Sequence, residues 1–570
     1  MTSSEFESLA FNQGDLEKWA ITRPESNNWP VVYTLFDDAT IYVGETTNAS
    51  SRLGQHLKTD KKVLSSARVI INPEFNKSVC LDLESHLIRY FGADPARKLL
   101  NGNGGISDAD YYKRDEYREK FDEIFEELYR QGLLTRSVKD IINSDLFKYS
   151  PFKALNIEQA TAVNEVLELL DNDLKSNRSE TIVIQGDPGT GKTIVAIYLM
   201  KLLADIKLGN TDDVIDGESI FSDYFLEGYE HLRNLEIGLV IPQQSLRKTI
   251  QKVFSMVPGL DPKDVLGAFD VAKSEKVFDL LIVDEAHRLQ QRSNQAAASL
   301  NTLFKDLNIK LFGRDTGEIT QLDWIKKQSK HQVLLLDSEQ TVKPADLDQL
   351  VTKKLVASAS ADQRLIKLIS QMRLLGGADY IDYVAAVFNG ENPIPRHSFG
   401  EYDLRFFDDF SAMHSEIRAL DREFTLSRLV AGYGWKWISK GGKKPFDFEI
   451  HGEQLTWNRT ATDWINSPTS NQEVGSIHTV QGYDLNYSGV IVGPELSFDS
   501  QMRKITFVRD NYADAKGKQN NPGKQFTDEE LLDFVANVYR VLMTRGIKGT
   551  FLYVVDPNLR DYLRQFFPSA

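Results

Sequence analysis

The stretch that decides the fold is TIVIQGDPGTGKTIVAIYLM, residues 181–200. Its first four residues are β-branched, which predicts a short buried strand. A glycine-rich segment follows at residues 186–193, and the apolar run after it predicts a helix over residues 194–203. Strand, loop and helix in this order are the context in which a phosphate-binding loop works. The sequence therefore predicts a nucleoside triphosphate site in an α/β domain.

The residue types in this loop suit a polyphosphate bound with a metal ion. Glycines let the backbone curl so that its N–H groups point at phosphate oxygens, and the start of the helix adds a favourable dipole. A lysine can bind the β- and γ-phosphate oxygens, and a threonine hydroxyl can ligate Mg²⁺. A nucleoside triphosphate and Mg²⁺ are thus the expected ligands of this loop. The expected binding residues in the loop are Gly186, Gly189, Thr190, Gly191, Lys192 and Thr193.

A second apolar run, residues 280–283, ends in Asp284 and Glu285 about ninety residues after the loop. Carboxylates that leave a buried strand beside the loop can reach the metal ion. We expect Asp284 to join the Mg²⁺ shell and Glu285 to act as the base for the attacking water. Two carboxylates at a strand end are often only a polar terminus, but their position after the loop favours the catalytic interpretation.

From about residue 155 to residue 555 the chain resembles superfamily 1 helicases, and among them the Schlafen-like group of helicase-related ATPases. The resemblance implies that Gln159 reads adenine and that Asp337 and Gln340 sense the γ-phosphate. A glycine usually precedes the aspartate in this family, and this chain lacks it. The matching positions beyond the loop and the two carboxylates are Gln159, Asp337, Gln340, Gln371, Arg373, His478, Gln481, Gly482 and Arg545.

The remaining matches imply a second motor domain that closes on the nucleotide. Gln371 and Arg373 resemble the segment that opens this domain. The resemblance also implies that the His-x-x-Gln-Gly motif, with Gln481 and Gly482, couples DNA contact to hydrolysis. Arg545 corresponds to the arginine finger, which can stabilise the charge spread over the γ-phosphate. Because residues 374–475 depart from typical superfamily 1 helicases, strand separation stays open.

The N-terminal residues show a different pattern. Two strand-like runs, at residues 31–35 and 40–44, flank an Asp-Asp turn, and a helix is predicted over residues 81–91. Over about residues 28–105 this resembles the GIY-YIG nuclease domain. The first tripeptide is degenerate, Val-Val-Tyr, whereas the second, Tyr-Val-Gly, is close. The positions that match the family are Tyr33, Tyr42, Arg52, His56, Glu84 and Asn101.

These residue types fit phosphodiester cleavage. A tyrosine can orient or activate water, Glu84 can hold one Mg²⁺ ion, and Arg52 can neutralise the phosphate. The resemblance therefore implies a metal-dependent endonuclease with one metal ion. An inactive module that only binds nucleic acid is the main alternative, and each side chain alone also has an ordinary structural role.

Bulk properties narrow the class of protein. The net charge is −15, yet residues 52–98 hold nine Lys and Arg against five Asp and Glu, so a local basic track for nucleic acid remains. The single cysteine excludes an intramolecular disulfide. No apolar run is long enough to span a bilayer, so we expect no membrane partner and a cytoplasmic location. A protein partner or homo-oligomer stays open.

Together these patterns predict an α/β protein with a small GIY-YIG domain and two RecA-like parallel-sheet P-loop NTPase domains. The expected boundaries are 1–105 for the nuclease-like domain, 106–154 for a helical connector, 155–355 for the first motor domain and 356–570 for the second. A Trp-rich insertion is expected at about 430–470, where tryptophans could stack on bases beside Lys440, Lys443 and Lys444 or, as we favour, pack internally.

Three functions fit this organisation. The first is an ATP-dependent translocase or helicase coupled to a Mg²⁺-dependent endonuclease, acting on DNA rather than RNA in processing, repair or defence against foreign DNA. The second is a motor whose N-terminal domain binds DNA without cutting it. The third is a regulatory ATPase that responds to nucleic acid or to a protein.

Overall fold

A computed structural model gives the fold. The described residues are 4–570 without 102–110, 152–154, 210–220, 227, 294–297, 338–340, 372–373, 397, 440–444, 461–463, 481–482, 516, 519 and 522–523. The chain forms two compact units. The first comprises residues 1–171, 197–235 and 250–263, and the second comprises residues 172–196, 236–249 and 264–570.

The first unit contains a five-stranded sheet with the order β1-β4-β2-β3-β5. Strands β2 and β3 form the antiparallel hairpin that the sequence predicts, and only the β3–β5 pair is parallel. Helices α2 and α3 each begin after an asparagine. The side chains of Asn48 and Asn76 accept hydrogen bonds from backbone N–H groups of the first turn. The elements are β1 (Glu5–Ala10), α1 (Gln13–Thr22), β2 (Val31–Phe36), β3 (Thr40–Thr46), α2 (Ala49–His56), β4 (Ser66–Ile71), α3 (Lys77–Ala93) and β5 (Lys98–Leu99).

Three helices follow in the same unit: α4 (Arg114–Arg130), α5 (Val138–Ile142) and α6 (Asp145–Lys148). The apolar stripe of α4 is buried, and its Phe125 ring stacks on Tyr90 of α3 at 3.9 Å. The buried carboxylate of Asp82 in α3 accepts from Tyr111 at 2.9 Å and from Arg118 at 3.2 Å. Helix α4 is therefore fastened to α3 by both apolar and charged contacts.

The second unit contains a six-stranded sheet with the order β11-β6-β10-β9-β7-β8, in which every pair is parallel. Its central strands are runs of Val, Ile and Leu that are almost fully buried, as expected where both faces of a sheet are covered. Residues 157–368 are divided between the two units and contain the elements α7 (Ile157–Lys175), β6 (Thr181–Gly186), α8 (Lys192–Leu208), α9 (Glu230–Arg233), β7 (Ile237–Val240), α10 (Gln244–Met256), β8 (Val265–Leu266), α11 (Ala268–Lys273), β9 (Phe278–Val283), α12 (Ala298–Phe312), α13 (Gln321–Lys327), β10 (Ser329–Leu336), α14 (Gln349–Ala361) and β11 (Leu365–Leu368).

A second parallel sheet in this unit has the order β12-β20-β17-β13-β16. Two small antiparallel hairpins, β14–β15 and β18–β19, are added to it. The elements are α15 (Gly377–Phe388), β12 (Asp403–Phe406), α16 (Phe410–Phe424), β13 (Ser427–Ala431), β14 (Phe448–Ile450), β15 (Glu453–Leu455), β16 (Val474–Ser476), α17 (Ile477–Val480), β17 (Leu485–Val492), β18 (Leu496–Asp499), β19 (Lys504–Phe507), α18 (Asp528–Met543), β20 (Gly546–Val554) and α19 (Pro557–Arg564).

The expected α/β class with parallel sheets is confirmed. In the Trp-rich stretch, Trp457 and Trp464 are 0% exposed, and Trp435 stacks on Phe448 at 4.4 Å. These contacts favour internal packing of the tryptophans, whereas Lys440, Lys443 and Lys444 lie outside the described residues. Within the described part of the chain, no helix has the length and apolarity that crossing a membrane requires.

Candidate functional site

The glycine-rich loop connects β6 to α8 at the carboxyl edge of the six-stranded sheet. Gly189 and Gly191 have φ values of 89° and 83°, a region that residues with a side chain rarely adopt. The Lys192 ammonium is buried and donates to the carbonyl oxygens of Gly186 at 2.6 Å and Asp187 at 2.9 Å. Lys192 therefore occupies the concave side of its own loop, where phosphate oxygens bind in loops of this type.

Strands β6, β9 and β10 run parallel in register, so the segments that follow them meet at one edge. This brings Thr193 to Asp284, and the threonine hydroxyl donates to the carboxylate at 2.7 Å. Asp284 is 0% exposed, and within the described residues its Oδ1 has no hydrogen-bond donor. Burial, followed by the adjacent charge of Glu285, raises the pKa of Asp284. A buried carboxylate oxygen that lacks a donor beside a hydroxyl fits the oxygen ligands of Mg²⁺.

Glu285 follows directly and adopts a left-handed backbone with φ of 50°. Burial opposes its ionisation, but His287, Arg288 and Lys192 outweigh burial and hold the pKa of Glu285 well below its usual value. Its carboxylate lies 3.0 Å from Nε2 of His287 and 3.1 Å from Nε of Arg288. Glu285 is therefore held ionised, as a general base requires.

His287 also reaches the segment after β10. Its Nδ1 accepts the backbone N–H of Asp337 at 3.1 Å, so the ring stands between Glu285 and Asp337. Sequence reasoning missed this contribution, although the signal was present in the Asp-Glu-Ala-His run. Gln340, Arg373, Gln481 and Gly482, for which roles were expected, lie outside the described residues.

Gln371 lies on the loop itself. Its Nε2 donates to the carbonyl oxygen of Pro188 at 2.5 Å, and a side chain at Gly189 would overlap its amide. The segment that leads to the second parallel sheet thus touches the phosphate loop. This contact also explains why position 189 must lack a side chain.

Gln159 and Arg545 have other contacts than those expected of them. The Gln159 side chain accepts the backbone N–H of Asn156 at 3.2 Å, so it caps the start of α7. Arg545 is 4% exposed and donates to the carbonyl oxygens of Val541 at 3.2 Å and Tyr483 at 3.5 Å. In this structure Arg545 therefore fixes the turn between α18 and β20.

His478 and two residues of α18 are further polar groups in the region of the second parallel sheet. His478 Nε2 lies 2.9 Å from the Asp514 carboxylate, and its ring lies beside Tyr433 at 5.4 Å. A cleft beside the phosphate loop is lined on its far side by α15 and α18, which supply Asn537 and Arg540. The sequence analysis did not single out either residue, although both lie within eight residues of Arg545.

In the N-terminal sheet the predicted tyrosines face a histidine. The Tyr33 hydroxyl lies 2.8 Å from Nε2 of His56, and the Tyr42 ring lies 5.3 Å from the His56 ring. Tyr33 is 0% exposed and pairs across the hairpin with Gly44, whose missing side chain leaves room for the phenol ring. The Tyr-Val-Gly tripeptide therefore serves the packing of Tyr33.

Burial sets the ionisation of this Tyr–His pair. It raises the pKa of Tyr33, and the charge and hydrogen bond of Arg52 only partly oppose that effect. Burial, followed by the charges of Lys61 and Arg52, lowers the pKa of His56 to about 3. Tyr33 and His56 are therefore both neutral near pH 7.

Glu84 and Asn101 are the remaining predicted residues of this site that have described contacts. Glu84, on α3, is half-buried and acts on the Tyr33 hydroxyl through its charge. Asn101 is buried, where its side chain donates to and accepts from the backbone of Val43 at 2.9 and 3.0 Å, so it acts as an extra strand pairing. Among the described residues, no group of three or more His, Cys, Asp or Glu side chains is placed to hold a metal ion. Glu84 alone would leave most ligand positions to water and phosphate.

Known proteins resemble most of this chain. Residues 179–556 match the family model described as Schlafen group 3, DNA/RNA helicase domain. The chain is 23% identical over 446 residues to the uncharacterized protein YPL245W of Saccharomyces cerevisiae, a match that covers 75% of this chain and 94% of that protein. A 143-residue segment, 24% of this chain, is 32% identical to the ATP-dependent DNA helicase RecG of Aquifex aeolicus and covers 17% of it.

Solved structures align over a similar share of the chain at low similarity. The Arterivirus nonstructural protein 10 helicase has 12% identity and a TM-score of 0.26, covering 70% of this chain and 64% of that one. The Pif1 helicase from Bacteroides, in complex with ADP-AlF3 and ssDNA, has 12% identity and a TM-score of 0.25, covering 69% and 91%.

Proposed function

This chain belongs to the Schlafen group 3 DNA/RNA helicase domain family, and from that premise we propose that it is an ATP-driven DNA translocase coupled to a Mg²⁺-dependent nuclease domain. Membership makes the chain a helicase-like, ATP-dependent nucleic-acid enzyme. The choice of DNA, the coupling to cleavage and a part in processing, repair or defence against foreign DNA belong to the proposal.

The observation that carries the motor is the contact between Thr193 and Asp284. It joins the phosphate loop to the carboxylate pair at 2.7 Å and leaves one buried carboxylate oxygen for a cation. Thr193 and Asp284 would hold Mg²⁺, which neutralises charge on the β- and γ-phosphates when bound. Lys192 would exchange its two carbonyl acceptors for phosphate oxygens, and the ionised Glu285 would accept a proton from the attacking water.

The nuclease half of the proposal is supported by the groups around Tyr33. Arg52 is close enough to hydrogen-bond to its hydroxyl, and the carboxylate of Glu84 is near enough to act on it electrostatically. Arg52 would bind the scissile phosphate, because a guanidinium pairs well with phosphate oxygens. His56 accepts or donates one proton at the Tyr33 hydroxyl and so fixes the orientation of the phenol.

A second candidate is a motor whose N-terminal domain binds DNA without cutting it. The observation that favours it is the full burial of Tyr33, whose hydroxyl bonds to His56 inside the core. A phenol in that position can orient a neighbour but has no direct access to a phosphate in solvent.

One set of assays separates these functions. The full-length protein is incubated with labelled single- and double-stranded DNA and RNA, with and without ATP and Mg²⁺. We expect DNA-stimulated ATP hydrolysis that Lys192→Ala abolishes, and cleavage that Glu84→Ala abolishes while hydrolysis persists. Lys330→Ala and Glu17→Ala are the matched controls, because both side chains are exposed on the surface. DNA-stimulated hydrolysis without cleavage selects the second candidate, and the absence of any hydrolysis refutes the motor.

A further inference from the structure

A cleft in the second unit opens directly beside the phosphate loop. Asp187 and Pro188 of the loop line one side, together with Asp337 after β10. Helices α15 and α18 form the other side. They contribute Ile381, Asp382, Val384, Ala385, Asn537, Arg540, Val541 and Thr544.

The charges in this cleft are unevenly distributed. Three carboxylates line it, those of Asp187, Asp337 and Asp382, whereas Arg540 is the single cation among the described residues of its lining. A nucleoside triphosphate on the loop would add several further negative charges at this place. Because like charges repel strongly at short range in a partly buried site, the Arg540 guanidinium can add to the compensation that Lys192 and Mg²⁺ would supply.

Two hydrogen bonds connect this guanidinium to the segment that follows β10. Arg540 Nη1 donates to Oδ1 of Asn537 at 2.9 Å, and Asn537 Nδ2 donates to the carbonyl oxygen of Thr341 at 3.0 Å. Thr341 belongs to the segment that follows β10 and Asp337. These hydrogen bonds, from Thr341 to Asn537 and from Asn537 to Arg540, thus connect the two parallel-sheet regions next to the cleft.

We propose that Arg540 contacts the terminal phosphate of the bound nucleoside triphosphate and that Asn537 is its positioning residue, an inference that rests on the proposed ATPase function. Arg545, five residues later, donates to the backbone carbonyls of Val541 and Tyr483 and so holds the turn on which α18 ends. Of these two arginines near the end of α18, Arg540 is the one that lines the cleft.

The test compares binding and hydrolysis in the full-length protein. Affinities for ADP and for a non-hydrolysable ATP analogue are measured by calorimetry, and kcat and KM for ATP are measured with saturating DNA. For Arg540→Ala we expect kcat to fall about 100-fold, as when one donor to a transition-state oxyanion is removed. The analogue should bind roughly 10-fold more weakly while the ADP affinity stays within about twofold, because only the terminal phosphate loses its partner.

Two further variants keep the test decisive. Arg540→Lys retains the charge and stem, so it should recover part of kcat even if the alanine variant folds poorly. Asn537→Ala should lower kcat about 10-fold with the ADP affinity unchanged. Arg564→Ala is the control, since Arg564 pairs with Asp408 and Asp561 on the exposed face of α19.

Wild-type values of kcat and of analogue affinity in Arg540→Ala would overturn the inference. So would an equal loss of affinity for ADP and for the analogue in both Arg540 variants. Failure of the proposed function has a different result: the wild type would hydrolyse no ATP, and Lys192→Ala would bind both nucleotides like the wild type.

Discussion

The phosphate-loop site and the Tyr33–His56 site handle polar groups in opposite ways. At the loop, carbonyl oxygens accept hydrogen bonds from the Lys192 ammonium, and despite its burial the pKa of Glu285 is held well below its usual value by His287 and Arg288. At the N-terminal site, burial keeps Tyr33 and His56 neutral. The difference shows that the motor region is organised to exchange charged partners, whereas the core of the N-terminal sheet is organised to exclude charge.

The largest effect is expected at Glu285, in the phosphate-loop site. Glu285→Gln removes the base and keeps the shape, so ATP hydrolysis should fall about 1000-fold, within the range that general base catalysis contributes. ATP binding should persist, because Lys192 and Thr193 are unchanged. Single-turnover hydrolysis and nucleotide affinity measure the two effects.

A matched substitution, Glu275→Gln, serves as the control for Glu285→Gln, since Glu275 is 90% exposed and pairs only with Lys310 among described residues. Hydrolysis within threefold of the wild type in Glu285→Gln would show that the ionised carboxylate is not the base.

The next largest effect is expected at Arg52, next to Tyr33 in the Tyr33–His56 site. Arg52→Ala removes the cation next to Tyr33 and should lower DNA cleavage about 100-fold, the usual cost of losing one phosphate or oxyanion donor. ATP hydrolysis should be unchanged. Cleavage of a labelled duplex in Mg²⁺ measures the loss, with Lys58→Ala as the control on the same basic stretch. Equal cleavage by both variants would remove Arg52 from the nuclease proposal.

The third effect concerns Glu495, a buried carboxyl group of the motor region. Glu495 is 0% exposed against Gly432, Gly434 and Gly493, and burial raises its pKa to about 7. A raised carboxyl pKa means that the folded state binds more protons, so stability falls as pH rises from about 4.5 to 7. The full effect above pH 7 is on the order of 3 kcal/mol.

Glu495→Gln removes this titration. We expect its melting temperature to rise above that of the wild type by several degrees at pH 8, with little difference at pH 5. The Tyr539 hydroxyl that donates to Glu495 can donate to the amide oxygen instead. Parallel pH profiles of the two proteins would contradict a neutral Glu495. The pH dependence that His56 contributes should have the opposite sign. Because burial lowers its pKa, the free energy of unfolding should fall as pH drops below about 6.5.

The smallest effect concerns the Trp-rich stretch. Trp435→Leu breaks the stack on Phe448, which should cost about 1 kcal/mol of stability. The affinity for single-stranded DNA, measured by fluorescence anisotropy, should stay within about twofold, because base stacking would need an open ring face. Phe448→Leu is the matched control, as it removes the other half of the same stack. A large affinity loss in Trp435→Leu alone would restore a stacking role for this tryptophan.

The local part of the site could be predicted from sequence. Strand β6, the loop and α8 follow from apolar pattern and glycines within twenty residues, and Asp284 follows a strand whose register places it beside Thr193. The β2–β3 hairpin was predictable for the same reason. In each case short-range spacing determines which groups meet.

The long-range part could not be predicted in this way. The contacts of Gln371 with Pro188 and of Asn537 with Thr341 join residues more than 180 positions apart, and no periodicity reports them. Arg540 lies in the last turn of α18, and Arg545 follows the helix by two residues. A single sequence does not show which of these two arginines lines the cleft, because that depends on how α18 packs. The ionisation of His56 likewise depends on burial, which a single sequence does not show.

Lys192 donates to the carbonyl oxygens of Gly186 and Asp187. Nucleotide binding would therefore exchange these two acceptors for phosphate oxygens. Two neutral acceptors leave the ammonium and charged oxygens replace them, so the number of hydrogen bonds changes little and the gain is electrostatic. A ligand without a polyphosphate offers no such gain. Such a loop would therefore select ligands by the charge of their phosphate tail.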